Sequence, residues 1–186
     1  MELFMTYITL SGFKTYKDFD TDSEDGLLQD LIDSAYTIVN DYTGRVFDVS
    51  TVTGRTFSRY TNYPSRFANQ TLYLDEDLVG EATYITDSPT VLYLPENDDP
   101  NYAIFLTEGA WNSTAVTVSG YWGYSKTAPT AIQQASLRLT QWLYDMRSTN
   151  RGDAVIITPE GQVLLPQGLP QDVVTILAPY RKVRVY

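Results

Sequence analysis

The densest run of side chains able to do chemistry is Asp20-Thr21-Asp22-Ser23-Glu24-Asp25-Gly26. It has the acidity of a calcium loop. An EF-hand loop needs a glycine at its sixth position and a glutamate at its twelfth. Counted from Asp20, those positions hold Asp25 and Leu31. The same acids suit the positive end of a helix dipole, which requires no metal. Three further carboxylates, Asp75-Glu76-Asp77, follow the strand-like Leu72-Tyr73-Leu74. Neighbours on a strand point to opposite faces, so these three do not converge as a catalytic pair, and a solvated turn is expected instead. Asp98-Asp99 before Pro100 reads as another turn. The chain has neither histidine nor cysteine. That removes disulfides, thiol nucleophiles, cysteine zinc sites and any Ser-His pair, along with the commonest base near neutral pH. The expectation is a protein that is not an enzyme, with no catalytic, cofactor or metal residues.

The remaining polar and aromatic features are weighed in the same way. Arg151-Gly152-Asp153 is the integrin-binding tripeptide, but three residues carry little information, and the glycine suits a loop. Fifteen tyrosines could form a sugar-stacking or base-stacking surface. Most of those in the middle of the chain lie in strand-like runs, where aromatic residues are favoured for packing. The net charge is −10 and unevenly spread: residues 1–110 carry 19 acids and 6 bases, residues 111–186 carry 4 acids and 7 bases. An acidic body does not grip DNA phosphates. It suits solubility, or a surface that DNA must pass without sticking. No apolar run is long enough to span a membrane, and the first residues lack the pattern of a signal peptide.

The elements that must position these groups follow from periodicity. A short helix is expected from Thr9 to about Phe19. Leu27, Leu28, Leu31, Ile32, Ala35, Ile38, Val39 and Tyr42 recur at helical spacing, which predicts a helix from about Ser23 to Thr43. Thr21 and Glu24 have capping-box spacing, and Gly44 is placed to stop the helix. Strand-like runs follow at 46–49, 51–60, 71–74, 82–86, 90–94, 103–106 and 115–121, an antiparallel β region. Ile132, Ala135, Leu139, Trp142, Leu143 and Met146 mark a second long helix with Pro129 at its first position. Residues 147–153 read as a polar linker. Residues 154–166 alternate around Pro159-Glu160-Gly161, the pattern of a projecting hairpin. A helix at about Gln171–Ala178 precedes the tail, residues 179–186. The fold class is therefore α+β: a bundle of three main helices with a small antiparallel β region, 46–121, inserted between the first two and a hairpin before the last. The whole chain, 1–186, is read as one domain.

Two segments carry more information than the rest. In Val-Ser-Gly-Tyr-Trp-Gly-Tyr-Ser-Lys-Thr-Ala-Pro, residues 118–129, Gly120 and Gly123 permit a bend or a close backbone approach. Trp122 is expected to pack sheet against helix. In Ala-Pro-Tyr-Arg-Lys-Val-Arg-Val-Tyr, residues 178–186, bases alternate with valines. Such a segment can add as a strand to a partner's sheet edge or dock on its own domain.

Taken in order, these features resemble the head–tail connector, or adaptor, proteins of tailed bacteriophages. The resemblance covers nearly the whole chain. It runs from Tyr7–Tyr16, through Asp-Tyr-Thr-Gly-Arg-Val-Phe at Asp41–Phe47 and the β region containing residues 72–79, to the 118–129 junction. A helix with Ala135 early and Trp142 late follows, and then the tail. Its motif residues are Tyr42, Gly44, Arg45, Gly120, Trp122, Gly123 and Pro129.

The resemblance implies a structural virion protein of the neck, the head–tail interface, present in the host cytoplasm during assembly. Its partners would be copies of itself in a ring, usually a dodecamer, the portal protein above, and the next neck or tail protein below (tail nozzle, head-closure or terminator protein). DNA would pass through the channel without specific binding, and no membrane is involved. By this comparison Tyr180, Arg181, Lys182, Val183, Arg184, Val185 and Tyr186 match the portal-binding tail. The hairpin around Pro159, Glu160 and Gly161 is longer than compact members require and is a candidate partner contact. Two other readings stand beside this one: a head-closure or tail-terminator ring, and a carbohydrate-binding module built on tyrosine platforms.

Overall fold

The structure, a computed structural model, describes residues 7–58, 67–68, 70–87, 89–94, 100–149, 156–157, 163–164 and 168–182. The chain divides into two compact units, one of residues 1–44 with 129–186 and one of residues 45–128. The fold class is α+β, as the sequence predicts.

The first unit is helical. Helix α1 spans Leu10–Lys17; the Thr9 side chain caps it by accepting from the Gly12 amide, and Asp18 ends it in the left-handed conformation. Phe13 is buried on its inner face with Ile8, Leu28 and Ile32, and Phe19, Leu137 and Tyr144 pack around them. Helix α2, Asp25–Thr43, buries Leu28, Ile32, Ala35, Val39 and Thr43 at helical spacing. Gly44 stops it with φ +66°, a conformation that glycine adopts without steric cost. The expected capping box is absent: Glu24 occupies the cap and its side chain makes no capping bond. Lys14 of α1 takes the acids instead, bonding Asp22 and, at 2.7 Å, Asp25. The two carboxylates hold the lysine pKa above its ordinary value. The Glu24 carboxylate is used elsewhere, accepting from the Tyr144 hydroxyl at 2.7 Å.

Helix α3, Thr130–Thr149, packs on α2, and α4, Gln171–Leu177, packs on α3. Pro129, expected at the first helical position, instead lies one residue before the helix, which begins at Thr130, and its carbonyl accepts from the Gln133 amide. Ile132, Ala135 and Leu139 are buried as expected, but Trp142, Leu143 and Met146 are only half-buried, while Ser136 and Thr140 are buried. The polar linker expected from residue 147 is a correction: α3 continues through Thr149. Strands β7, Ile156–Ile157, and β8, Val163–Leu164, pair antiparallel as the alternation predicts. Pro159, Glu160 and Gly161 at the expected tip lie outside the described residues. After α4, a 3-10 turn over Ala178–Tyr180 leads into an extended Arg181.

The second unit is one antiparallel sheet. Strands β1 (Thr53–Ser58), β2 (Phe67–Ala68), β3 (Thr71–Ile85), β4 (Val91–Leu94), β5 (Asn101–Leu106) and β6 (Ala115–Trp122) lie in the order β1-β6-β3-β5-β4, with β2 on β3. Register places Phe57 opposite Val116, and Leu72 opposite Ile104. These side chains, with Leu78, Ile85, Val118 and Trp122, form the unit's core. Four expectations are corrected. The runs 71–74 and 82–86 are one 15-residue strand carrying register shifts, and Gly80 within it has φ +66°. Asp75-Glu76-Asp77 is thus part of a strand and not a turn. Residues 46–49 form no strand. Trp122 packs within its own unit, its ring centre 6.0 Å from that of Phe57 and its indole N–H donating to the Thr53 carbonyl at 2.8 Å.

Two outcomes follow. Trp122→Ala should cost about 3–5 kcal/mol in chemical denaturation, the range for emptying a large aromatic site. A loss under about 1 kcal/mol contradicts its core position. Arg138 donates to Asp172 at 2.9 Å and holds that carboxyl below its ordinary pKa. The folded value lies below the unfolded one, so the pair's contribution is present above the unfolded pKa and lost as pH falls through the folded one. Asp172→Asn should flatten the acid limb of the stability–pH curve below pH ~4, read as Tm against pH. An unchanged limb contradicts the pairing.

Candidate functional site

Four of the motif residues fall into two clusters, Arg45 and Gly123 in the β unit and Tyr42 and Gly44 in the helical unit. In the β unit, Arg45, Asp77, Gly123 and Tyr124 meet. The Arg45 guanidinium donates to the Asp77 carboxylate at 2.6 Å, with the arginine side chain 17% and the aspartate 5% exposed. The Gly123 amide donates to the Asp77 carbonyl at 2.7 Å, and the Tyr124 amide to the Val46 carbonyl at 2.6 Å. The Val49 amide in turn donates to the Ser125 carbonyl at 3.1 Å. Thus residues 46–49, which form no strand, are still bonded along the 123–125 turn. Tyr124 is held between Arg45, 5.0 Å from its ring centre, and Phe47, whose ring centre is 5.1 Å away.

Glycine is needed at 123 for space. A Cβ there would overlap the Val49 side chain and stand 2.8 Å from the Val46 carbonyl oxygen. Backbone cannot give way as a flexible side chain can. At Gly120 the nearest obstacle is the tip of Leu78, 2.5 Å from such a Cβ, a contact that a rotamer change relieves.

The three consecutive carboxylates of β3 are divided between two arginines. Arg55 takes Glu76 at 2.7 Å and Asp75 at 3.4 Å on the partly exposed side, and its guanidinium lies 5.0 Å from the Trp122 ring centre. Asp77 goes inward to Arg45. The split does not follow simple alternation, because adjacent Asp75 and Glu76 share Arg55; the register of β3 shifts between Tyr73 and Leu78, where these acids lie.

In the helical unit, Tyr42, Thr43 and Gly44 meet the start of the tail. The Lys182 amide donates to the Thr43 carbonyl at 2.8 Å. The Arg181 guanidinium lies 5.3 Å from the centre of the Tyr42 ring. The Lys182 Cβ is 3.6 Å from where a Gly44 Cβ would sit. Sequence reasoning named all these residues but had no signal that they touch. Tyr180 is half-buried and Arg181 exposed. Val183, Arg184, Val185 and Tyr186 lie outside the described residues.

Among the described residues, no three acidic side chains are grouped to hold a metal ion, and no helix is long and apolar enough to cross a membrane. Two open grooves lie in the helical unit. One, of about 380 Å³, is lined by Tyr16, Arg138, Trp142 and Asp172. The other, of about 590 Å³, is lined by Lys14 and the acids it bonds.

The comparisons with known proteins agree with a structural role. Residues 6–183 match the head completion protein family, and the chain belongs to that family. It is a family of structural virion proteins, not of enzymes. No curated protein matches the sequence. Among solved structures, the fold is similar to a chain in the neck of an empty gene transfer agent particle computed with C6 symmetry. Identity is 15% and the TM-score 0.59, covering 97% of this chain and 92% of that one. It is similar to a chain in the virion of the native particle, at 15% identity and TM-score 0.58, covering 100% and 96%. A chain in the native neck computed with C12 symmetry gives 14% identity and TM-score 0.51, covering 98% and 95%.

Asp77→Ala should cost about 3–5 kcal/mol in urea denaturation because it breaks an ion pair whose carboxylate is buried. Asp75→Ala, at the exposed pair, should cost about 0–1 kcal/mol. Equal costs contradict the buried role of Asp77.

Proposed function

We propose that this protein is a head–tail adaptor: a ring of copies seated below the portal that joins head to tail and lets DNA through. The observation that carries the reading is the family match over residues 6–183, read with the order of the motifs along the chain. The likeness to neck chains of gene transfer agent particles over nearly their whole length supports the same placement. Both units then serve as one adaptor domain. The ring closes by rotation through head-to-tail interfaces. The C-terminal segment from Tyr180 to Tyr186 engages the portal, and the 154–166 hairpin contacts a partner. The next neck or tail protein docks on the other side.

Charge supports passage of DNA without specific binding. From Asp18 to Gly44 there are eight acids and no base. Three side-chain donors along α2 are turned back on the helix: Gln29 donates to Asp33, Ser34 to the Asp30 carbonyl and Thr37 to the Asp33 carbonyl. A phosphate finds repulsion and few donors there.

A head-closure or terminator ring is the competing reading, and the basic tail, alternating with apolar residues, favours portal contact over it. Deleting Arg181–Tyr186 tests the choice. Binding to the portal in a pull-down or by interferometry should be lost while the circular dichroism spectrum is kept. Unchanged portal binding refutes the assignment of the tail.

A further inference from the structure

Helix α2 ends without a base of its own in the last turn. A helix C-terminus carries partial negative charge and unpaired carbonyls, which cations and donors stabilise. Here part of that need is met internally: Gly44 bonds the Asn40 carbonyl and the Thr43 hydroxyl bonds the Val39 carbonyl. The rest comes from the far end of the chain. The Lys182 amide takes the Thr43 carbonyl, and Arg181 brings its charge over the Tyr42 ring. Gly44, with φ +66° and no side chain, lets the Lys182 stem pass at van der Waals distance. Arg181 itself is extended, with φ −63° and ψ 132°. The chain therefore leaves its last 3-10 turn and runs directly onto the helix end.

We propose that Tyr42 and Arg181 form a latch holding the root of the C-terminal segment on the end of α2, so that the residues after Lys182 start from a fixed point when they engage a partner. The inference rests on the tail being the portal-binding segment. Tyr42 is then a positioning residue: it acts on binding through Arg181 and the tail root. Fixing the root removes conformational freedom before binding, which raises affinity without any new contact. The ring supplies a face for the guanidinium, so phenylalanine should replace tyrosine and alanine should not.

The test uses the full-length protein in four forms: Tyr42→Ala, Tyr42→Phe, Arg181→Gln and a chain truncated after Lys182. Two readouts are taken, amide hydrogen exchange at Lys182 and affinity for the purified portal protein. Tyr42→Ala and Arg181→Gln should each speed Lys182 exchange and weaken portal binding by about 2- to 5-fold, the scale of one cation–π contact. Tyr42→Phe should match wild type in both. The exposed Arg181 position ensures one variant that keeps its fold if Tyr42→Ala does not. The latch is overturned if Lys182 exchange is unchanged in Arg181→Gln and Tyr42→Ala. It is equally overturned if their portal binding is unchanged while truncation abolishes it. Truncation that leaves binding intact sinks the portal-tail reading instead, and the exchange arm still decides whether the latch exists.

Discussion

The β unit depends on a side chain that is missing. With only hydrogen at Gly123, the 46–49 segment can lie against the 123–125 turn closely enough for amides and carbonyls to bond across in both directions. That approach brings Arg45 within reach of Asp77 and places Tyr124 between Arg45 and Phe47. A buried carboxylate is costly without a partner, so Asp77 inside a strand makes sense only once Arg45 has been delivered. The entry of the chain into the unit, its exit and the middle of its longest strand are tied at one point.

The motif Tyr42-Thr43-Gly44-Arg45 is divided between two tasks. Its first three residues end α2 and receive the tail root. Its last residue begins the β unit and holds Asp77. Four adjacent residues thus anchor both the insertion and the C-terminus. Each is specified by a different property: a ring face, a helix-end carbonyl, a left-handed backbone and a forked cation.

Much of the fold was legible because its signals are local. Thr9 caps α1, Gly44 ends α2, and the apolar spacing of Leu28, Ile32, Ala35 and Val39 marks the buried face. What was not legible depends on partners distant in sequence. Asp75-Glu76-Asp77 has poor strand propensity and reads as a turn, yet Arg55 and Arg45 hold it in β3, an override of propensity by tertiary contacts. The capping box at Thr21 and Glu24 also gave way to a distant partner: Glu24 accepts from the Tyr144 hydroxyl. Trp122 was recognised as a packing residue, but its partners Phe57 and Thr53 could be identified only from the register of β1 against β6. For the candidate site, the motif residues could be named from sequence. That Tyr42 meets Arg181, and Arg45 meets Asp77, could not, because no periodicity connects them.

Membership in the head completion protein family, an acidic chain without histidine or cysteine, and clusters built from packing and ion pairs describe a part made to assemble and not to react. The adaptor reading adds a place for that part. Cryo-electron microscopy of the neck in assembled particles tests it most directly. The account predicts a closed ring of this protein in direct contact with the portal, with density for residues 183–186 against portal subunits. A position at the tail tip, on the capsid surface, or separated from the portal by another ring contradicts it.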